Sequence, residues 1–177
     1  MKIRYFISIA LLYAGTLHAQ QIYKSNKYAS IAYDYDVKYE MPGVSMAAGY
    51  RLCEDIKVEL SASHRILDSM GARGKFNTLK PMLIFDYGEK ISLLVGIGGL
   101  IGTQRTEITD AQGLWTDKNL TYFGYTARAG AEYFPLPKWA LFGEYDYEYC
   151  VNSIFERFID TNFRMKHILS VGLKYYF

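Results

Sequence analysis

Hydrophobic and polar residues alternate along most of the chain, and this alternation restricts the possible folds more than any other feature of the sequence. Between residues 29 and 40 every odd position is apolar or aromatic, whereas the even positions are mostly polar or charged. A period of two places successive side chains on opposite faces of a β-strand. The pattern predicts eight strands over residues 29–40, 44–52, 56–66, 79–87, 91–102, 122–133, 139–149 and 165–177. The fourth is the least regular, because Pro81 lacks an N–H for the ladder.

The connections between these strands alternate in length. Residues 53–55, 88–90 and 135–137 form short turns, whereas residues 68–74, 103–119 and 150–162 form longer loops, and only the first outer connection, at 41–43, is short. An even strand number with short turns at one end and longer loops at the other is typical of outer-membrane barrels. About 9–11 residues are enough for a tilted strand to cross a membrane. We therefore predict an all-β fold, an eight-stranded antiparallel up-and-down transmembrane β-barrel.

Aromatic residues flank the aliphatic part of the apolar face at both strand ends. The predicted girdle at the turn end contains Tyr50, Tyr87, Tyr133, Trp139, Tyr175 and Phe177. The girdle at the loop end contains Tyr35, Tyr39, Phe123, Tyr147 and Tyr149. Aromatic side chains prefer the headgroup levels of a bilayer, so two girdles favour a membrane barrel over a soluble aromatic core.

The N-terminus predicts export from the cytoplasm. Lys2 and Arg4 precede an apolar run that ends at Leu17-His18-Ala19, which has the pattern of a cleaved secretory signal peptide. A buried N-terminal helix is the alternative. We assign residues 1–19 to the signal peptide and residues 20–177 to the barrel. Cleavage reduces the 20 basic residues to 18, against 18 acidic ones. The chain therefore lacks the positive charge with which a nucleic-acid-binding protein neutralises phosphates.

The last strand carries a resemblance to a known group of proteins. The run Leu169-Ser170-Val171-Gly172-Leu173-Lys174-Tyr175-Tyr176-Phe177 resembles the terminal signature of bacterial outer-membrane proteins. The whole plan resembles the eight-stranded barrels of the OmpA, OmpX and opacity type, the "porin family" of Gram-negative cell surfaces. The resemblance implies that Leu173, Tyr175 and Phe177 form an assembly signal, which the barrel-assembly machinery reads transiently. It also implies an outer-membrane location, contact with outer-membrane lipid and a monomeric barrel.

The polar face of the strands predicts a filled barrel interior. Eight strands leave a lumen that side chains just fill, and charges persist there only when they are paired. We expect an ion-pair network that includes Asp34, Arg51, Glu59, Arg128, Glu132, Glu144, Asp146 and Lys174. If Leu136 is the centre of its turn, Arg128 lies directly opposite Glu144. Such a network makes a wide diffusion pore improbable.

The residues suggest no cofactor, no metal site and no catalytic group. His64 and His167 both fall on the predicted lipid-facing side, and His167 and Ser170 point to opposite faces. We expect a non-enzymatic protein for membrane integrity or surface contact, with a lipid-modifying enzyme or a narrow small-solute channel as alternatives. Exposed apolar loop residues often mark contact sites for a host or surface ligand. Leu114, Trp115, Phe155 and Phe158 are the candidates, unless the two loops pack on each other.

Overall fold

Eight strands form a closed antiparallel barrel in which each strand pairs with the next and β1 pairs with β8. The computed structural model describes residues 26–69, 72–109, 115–151 and 164–177. The strands are β1 (Lys27–Asp36), β2 (Met41–Cys53), β3 (Ile56–Ser69), β4 (Ala72–Tyr87), β5 (Ile91–Thr109), β6 (Trp115–Leu136), β7 (Trp139–Cys150) and β8 (Met165–Tyr176). The predicted fold is confirmed. The predicted signal peptide lies outside the described residues and stays a prediction.

No helix in the described ranges is long and apolar enough to cross a membrane.

The period of two separates an apolar outer surface from a polar interior. In β1 the side chain of Tyr33 is 56% exposed, while that of its neighbour Asp34 is 1% exposed. Outward positions on every strand carry exposed aliphatic or aromatic side chains, such as Ile97 and Val171. Closure leaves no free sheet edge, so the backbone groups of β1 and β8 pair with each other. The apolar outer face is the surface that a bilayer would cover.

The first turn lies at residues 37–40, and the predicted position at 41–43 is wrong. Asp36 Oδ1 accepts hydrogen bonds from the backbone N–H of Lys38 at 3.0 Å and of Tyr39 at 3.3 Å. A carboxylate that binds the backbone just ahead of it stabilises a turn. The chain has therefore already reversed when it reaches Pro42, which belongs to β2 and pairs with Tyr35.

Tyr39 does not belong to the outer aromatic girdle in which we predicted it. It packs instead against an inward-facing cluster of Met41, Leu67 and Phe76. Because residue 39 lies in the turn rather than in β1, the alternation of the strand does not determine where its side chain points.

The strands β5 and β6 extend through most of the segment 103–119 that we predicted as a loop. Their ladder continues to the pair Thr109 and Trp115. In this part Gln104 and Thr106 face inward, and Gln104 Nε2 donates to Thr106 Oγ1 at 3.1 Å. Both faces are thus polar, and the hydrophobic alternation ends although the hydrogen-bond ladder does not. For the same reason β3 and β4 extend into the predicted loop 68–74.

Pro81 has no backbone N–H and interrupts the hydrogen-bond ladder on one side of β4. It pairs with Leu60 on β3. On the other side the ladder to β5 passes from the pair Leu79 and Ile101 to the pair Met82 and Gly98. The register is the same on both sides of the gap, so the proline interrupts the pairing without displacing the strand.

Two tyrosine rings lie flat over glycines of the neighbouring strand. Tyr28 is the direct partner of Gly49, and Tyr122 is the direct partner of Gly102. A Cβ on Gly49 would come within 2.1 Å of the Tyr28 ring, and one on Gly102 within 2.3 Å of the Tyr122 ring. The absence of a side chain therefore allows each ring to lie along the barrel wall.

We expect Gly49→Ala and Gly102→Ala to lower the free energy of unfolding by about 1–3 kcal/mol each, the usual effect of overpacking. Gly143→Ala is the matched control, because nothing lies within 4 Å of its added Cβ. Its stability should stay within about 1 kcal/mol of the original. Urea unfolding of the barrels in lipid vesicles measures all three. Equal effects at the three positions would contradict this account of the tyrosines.

Candidate functional site

The barrel interior is a densely charged lumen rather than an apolar core. Of the residues described, seven basic and eight acidic side chains are buried there. The basic ones are Arg51, Lys57, Arg65, Lys80, Arg128, Lys166 and Lys174. The acidic ones are Asp34, Asp36, Glu59, Asp86, Glu132, Glu144, Asp146 and Glu148. The nearly equal numbers let the two signs compensate each other, which buried charges require.

At the turn end of the lumen, two carboxylates connect three cations. Asp86 binds Arg51 at 2.6 Å and Lys57 at 2.9 Å. Lys57 also lies 3.3 Å from Glu132, which binds Lys174 as well. Since these residues come from β2, β3, β4, β6 and β8, the group connects strands on different sides of the barrel.

Arg128 is the centre of the network. Its guanidinium contacts Glu59 at 2.7 Å, Glu144 at 2.9 Å and Asp146 at 2.6 Å. Glu59 belongs to β3, so this contact crosses the lumen from β6. Five N–H donors in a planar group allow one arginine to satisfy several carboxylates at once.

Towards the loop end, Lys80 and Arg65 continue the network. Lys80 binds Asp146 at 2.5 Å and Glu148 at 3.2 Å, and Arg65 binds Glu148 at 2.9 Å. The ion pairs therefore run along the lumen from Arg51 to Arg65 without a gap large enough to separate them into independent sites.

Aromatic rings and apolar residues cover both ends of this network. At the turn end Tyr28, Phe134, Ala140 and Tyr176 form one buried cluster. Tyr28 donates a hydrogen bond to Glu59 at 2.8 Å, and Tyr176 donates one to Glu132 at 2.7 Å.

At the loop end, Lys166 lies between two rings. Its Nζ is 4.9 Å from the ring centre of Phe76 and 4.6 Å from that of Tyr122. A cation over an aromatic face is stabilised by the ring quadrupole, which partly replaces the hydration that burial removes.

The structure places every predicted lumen residue inside the barrel. It differs from the prediction in the cross-strand partner of Arg128 and in the partners of Asp34. The direct cross-strand partner of Arg128 is Asp146, and Glu144 lies opposite Gly130. An irregularity between Tyr133 and Leu136 moves the register away from a turn centred on Leu136. Arg128 still reaches Glu144 because a diagonal neighbour two residues along lies within range of a long side chain.

Asp34 differs from the other predicted members of the network. Its Oδ1 accepts hydrogen bonds from the hydroxyls of Ser45 and Ser170, each at 2.8 Å. Among the described residues its contacts are with hydroxyl groups rather than with a cation. The sequence interpretation omitted Asp86, although its position between outward Phe85 and Tyr87 would have placed it inside.

The predicted assembly residues all point outward from β8. Leu173 and Phe177 are exposed, and Tyr175 is half-buried. The Tyr175 ring lies 4.8 Å from Trp139 and 6.1 Å from Phe177, centre to centre. The three side chains thus belong to the apolar surface and its aromatic girdle. Their role in assembly stays a prediction.

Most of the predicted loop contacts fall outside the described part of the chain. Leu114, Phe155 and Phe158 lie outside the described residues, and of Trp115 only the backbone is described, at the start of β6. Whether these side chains are exposed or packed on each other stays a prediction.

Both histidines of the described residues, His64 and His167, face outward and contact neighbouring side chains. His64 Nδ1 lies 2.7 Å from Asn77 Oδ1, and His167 Nδ1 lies 2.5 Å from the Tyr145 hydroxyl. Ser170 points into the lumen, where it binds Asp34. His167 and Ser170 therefore do not form a nucleophile and base, since they lie on opposite faces of β8.

Comparison with known proteins agrees with this architecture. The family described as "Outer membrane protein beta-barrel domain" matches residues 7–177. The chain belongs to this family. None of the curated proteins is similar enough in sequence to count as a relative.

Several solved outer-membrane barrels have a similar fold. Neisserial surface protein A is 18% identical with a TM-score of 0.61, over 86% of this chain and 98% of that one. The N-terminal barrel domain of Pseudomonas aeruginosa OprF is 16% identical with a TM-score of 0.58, over 86% and 98%. The attachment invasion locus protein Ail of Yersinia pestis is 16% identical with a TM-score of 0.55, over 86% and 99%. At these identities the likeness concerns the fold alone.

We expect the Arg128 contacts to be strongly coupled. Arg128→Leu should lower the free energy of unfolding by about 3–5 kcal/mol, because it leaves buried carboxylates uncompensated. Adding Glu144→Leu should recover part of that loss, since the nearest remaining cation of Glu144 is Lys174 at 3.8 Å. Double-mutant cycles in urea measure this non-additivity.

The exposed pair Arg73 and Asp68, 3.6 Å apart, is the matched control. A cycle on this pair should give a coupling of at most about 1 kcal/mol. If the effects of Arg128→Leu and Glu144→Leu simply add, the two side chains are not coupled and the network at Arg128 is wrong.

Proposed function

We propose that this protein is a non-enzymatic barrel of the outer membrane, with a closed lumen and with its specific contacts at the outer wall and the extracellular loops. In this proposal the signal peptide is cleaved after Ala19 and the mature barrel is a monomer. Its role is membrane integrity, surface contact or both. The barrel-assembly machinery is a transient partner, and a host or surface ligand would bind through the loops.

The lumen network is the observation that carries the proposal. Salt bridges cross the interior at several levels, as between Arg128 and Glu59 and between Lys80 and Asp146. Each buried side chain in these pairs is at most 4% exposed. Moving one such group aside would leave its partner uncompensated in a poorly hydrated interior. A path for solutes would need several of these pairs to separate together.

The outward histidines are the main argument for the alternative, a lipid-modifying enzyme. The His167 ring contacts the Tyr145 hydroxyl and lies edge-on to Tyr147, with 5.6 Å between ring centres. An aromatic pair of this kind suits the headgroup level of a bilayer. This arrangement favours an interface role for His167 over hydrolysis.

We expect the folded barrel to leave lipid A and phospholipid chemically unchanged and to produce no conductance steps in planar bilayers. Mass spectrometry of the lipids and single-channel recording measure these outcomes, with an open porin as the positive control for the recording. If the barrel releases fatty acid and His167→Ala abolishes this release, the protein is a lipid-modifying enzyme and the proposal is wrong. Regular conductance steps would replace it with the channel.

We expect Phe177→Ser to lower the amount of barrel inserted in cells while leaving the stability of the refolded barrel within about 1 kcal/mol, the usual range for surface changes. The substitution keeps the backbone N–H of residue 177, which donates a hydrogen bond to the backbone oxygen of Lys27 at 3.1 Å. Phe177→Tyr is the control, since it retains the terminal ring and should insert normally. If Phe177→Ser inserts normally at native expression, Phe177 is not part of an assembly signal.

A further inference from the structure

One buried carboxylate of the lumen lies outside the network of ion pairs. In the described part of the chain, ion pairs of at most 4.0 Å connect all of the buried charges except Lys166, Asp34 and Asp36. The connected group contains six cations and six carboxylates, so its charges cancel. Asp36 and Lys166, both at the loop end, attract each other. The lumen of the described residues therefore carries one net negative charge, and Asp34 is the carboxylate that accounts for it.

Asp34 lies at the seam of the barrel, where β1 pairs with β8. Its side chain is 1% exposed, and Ser45 and Ser170 each donate a hydrogen bond to its Oδ1 at 2.8 Å. A serine hydroxyl has one donor and two acceptor lone pairs. Because both hydroxyls donate their proton to Asp34, the lone pairs of both oxygens are still available to a cation. An unpaired carboxylate in a poorly hydrated interior is costly, so a cation bound here would stabilise the fold.

A second carboxylate approaches the same place from β7. Ser170 is the direct cross-strand partner of Asp34 on one side and of Glu144 on the other. Direct partners have Cβ atoms roughly 4.5–5.5 Å apart, so the two carboxylates flank the Ser170 hydroxyl. Arg128 binds Oε2 of Glu144 at 2.9 Å, whereas Oε1 is buried and accepts no hydrogen bond. Lys174 Nζ lies 3.8 Å from this oxygen, beyond normal hydrogen-bond distance.

The chemistry of these four side chains suits a small monovalent metal ion. They supply oxygen atoms and neither nitrogen nor sulfur, which is the donor set that hard cations prefer. A monovalent ion would cancel the single net charge of the lumen, whereas a divalent ion would leave a positive charge uncompensated. Within the described ranges, no group of three or more His, Cys, Asp or Glu side chains could hold a metal ion. That finding also argues against a divalent or transition metal.

We propose that a small monovalent metal ion binds between Asp34, Glu144, Ser45 and Ser170, and sodium is the probe. The ion compensates the buried carboxylate of Asp34 and connects β1, β2, β7 and β8, the strands on both sides of the barrel closure. The inference goes beyond the proposed function and concerns the lumen alone. Its failure would leave the outer-membrane role unaffected, because that role is tested by insertion, lipid hydrolysis and conductance.

The test follows urea unfolding of the full barrel in lipid vesicles while sodium chloride replaces N-methyl-D-glucamine chloride. The total salt concentration stays constant, and the organic cation is too large for the site. A ligand that binds only the folded state raises the folded-to-unfolded ratio about 11-fold at about ten times its dissociation constant. We therefore expect sodium to raise the urea midpoint by roughly 0.5–1.4 M.

Two variants separate the charge of the site from its ligand oxygens. Asp34→Asn should abolish the sodium dependence. It keeps a carbonyl oxygen for the two hydroxyls and removes the uncompensated charge, so without sodium it should be at least as stable as the original barrel. Ser170→Ala keeps the charge and removes one ligand oxygen. It should still respond to sodium, but only at a higher concentration.

Asp36→Asn is the matched control, because it removes a carboxylate from the same lumen but outside the proposed site. It should keep the sodium dependence even if it weakens the turn that Asp36 binds. Equal urea midpoints in the two salts would overturn the inference, because Asp34 would then carry a proton or contact only water. Loss of the sodium dependence in Asp36→Asn would overturn it too, since the effect would be one of overall lumen charge. Stabilisation by calcium but not by sodium would contradict a monovalent site.

Discussion

The charges inside the barrel have to compensate each other, and the rest of the structure depends on this requirement. Eight strands leave an interior that side chains fill and that holds little water. The compensation does not occur only between neighbouring strands: Arg128 of β6 contacts Glu59 of β3, and Arg65 of β3 contacts Glu148 of β7. Such contacts connect opposite walls. They stabilise one particular cross-section of the barrel, since a different shear would separate these charges from their partners on the opposite wall.

The aromatic residues of the lumen follow from the same requirement. Tyr28 lies flat over Gly49, and in this position its hydroxyl reaches Glu59. Tyr122 lies over Gly102, and its hydroxyl lies 2.9 Å from that of Thr78. In both places the glycine gives the neighbouring ring room to lie flat. The ring then covers an end of the lumen with apolar carbon, and its hydroxyl reaches the polar network. Glycine positions that look like weak points in a strand are here places where the neighbouring ring needs space.

Period-two alternation was sufficient to predict the fold and the inside and outside of each strand, but not the register. The turn after β6 is displaced from Leu136, so the partner of Arg128 is Asp146 rather than Glu144. An error of two residues keeps every side chain on its correct face, whereas an error of one would have exchanged the faces. The extent of β5 and β6 was not predictable from alternation, because both faces of their upper parts are polar. Gln104, for example, faces inward and Arg105 faces outward. The inward position of Asp86, by contrast, was predictable from its outward neighbours Phe85 and Tyr87.

The two faces of the wall therefore serve different purposes. Inside, almost every charge has an opposite partner from this chain, and the network has little capacity for a further ligand. Outside, the side chains of the row from His64 to Thr103 satisfy each other's hydrogen bonds. Polar groups on this wall thus pair between neighbouring strands, whereas the charges inside also pair across the lumen.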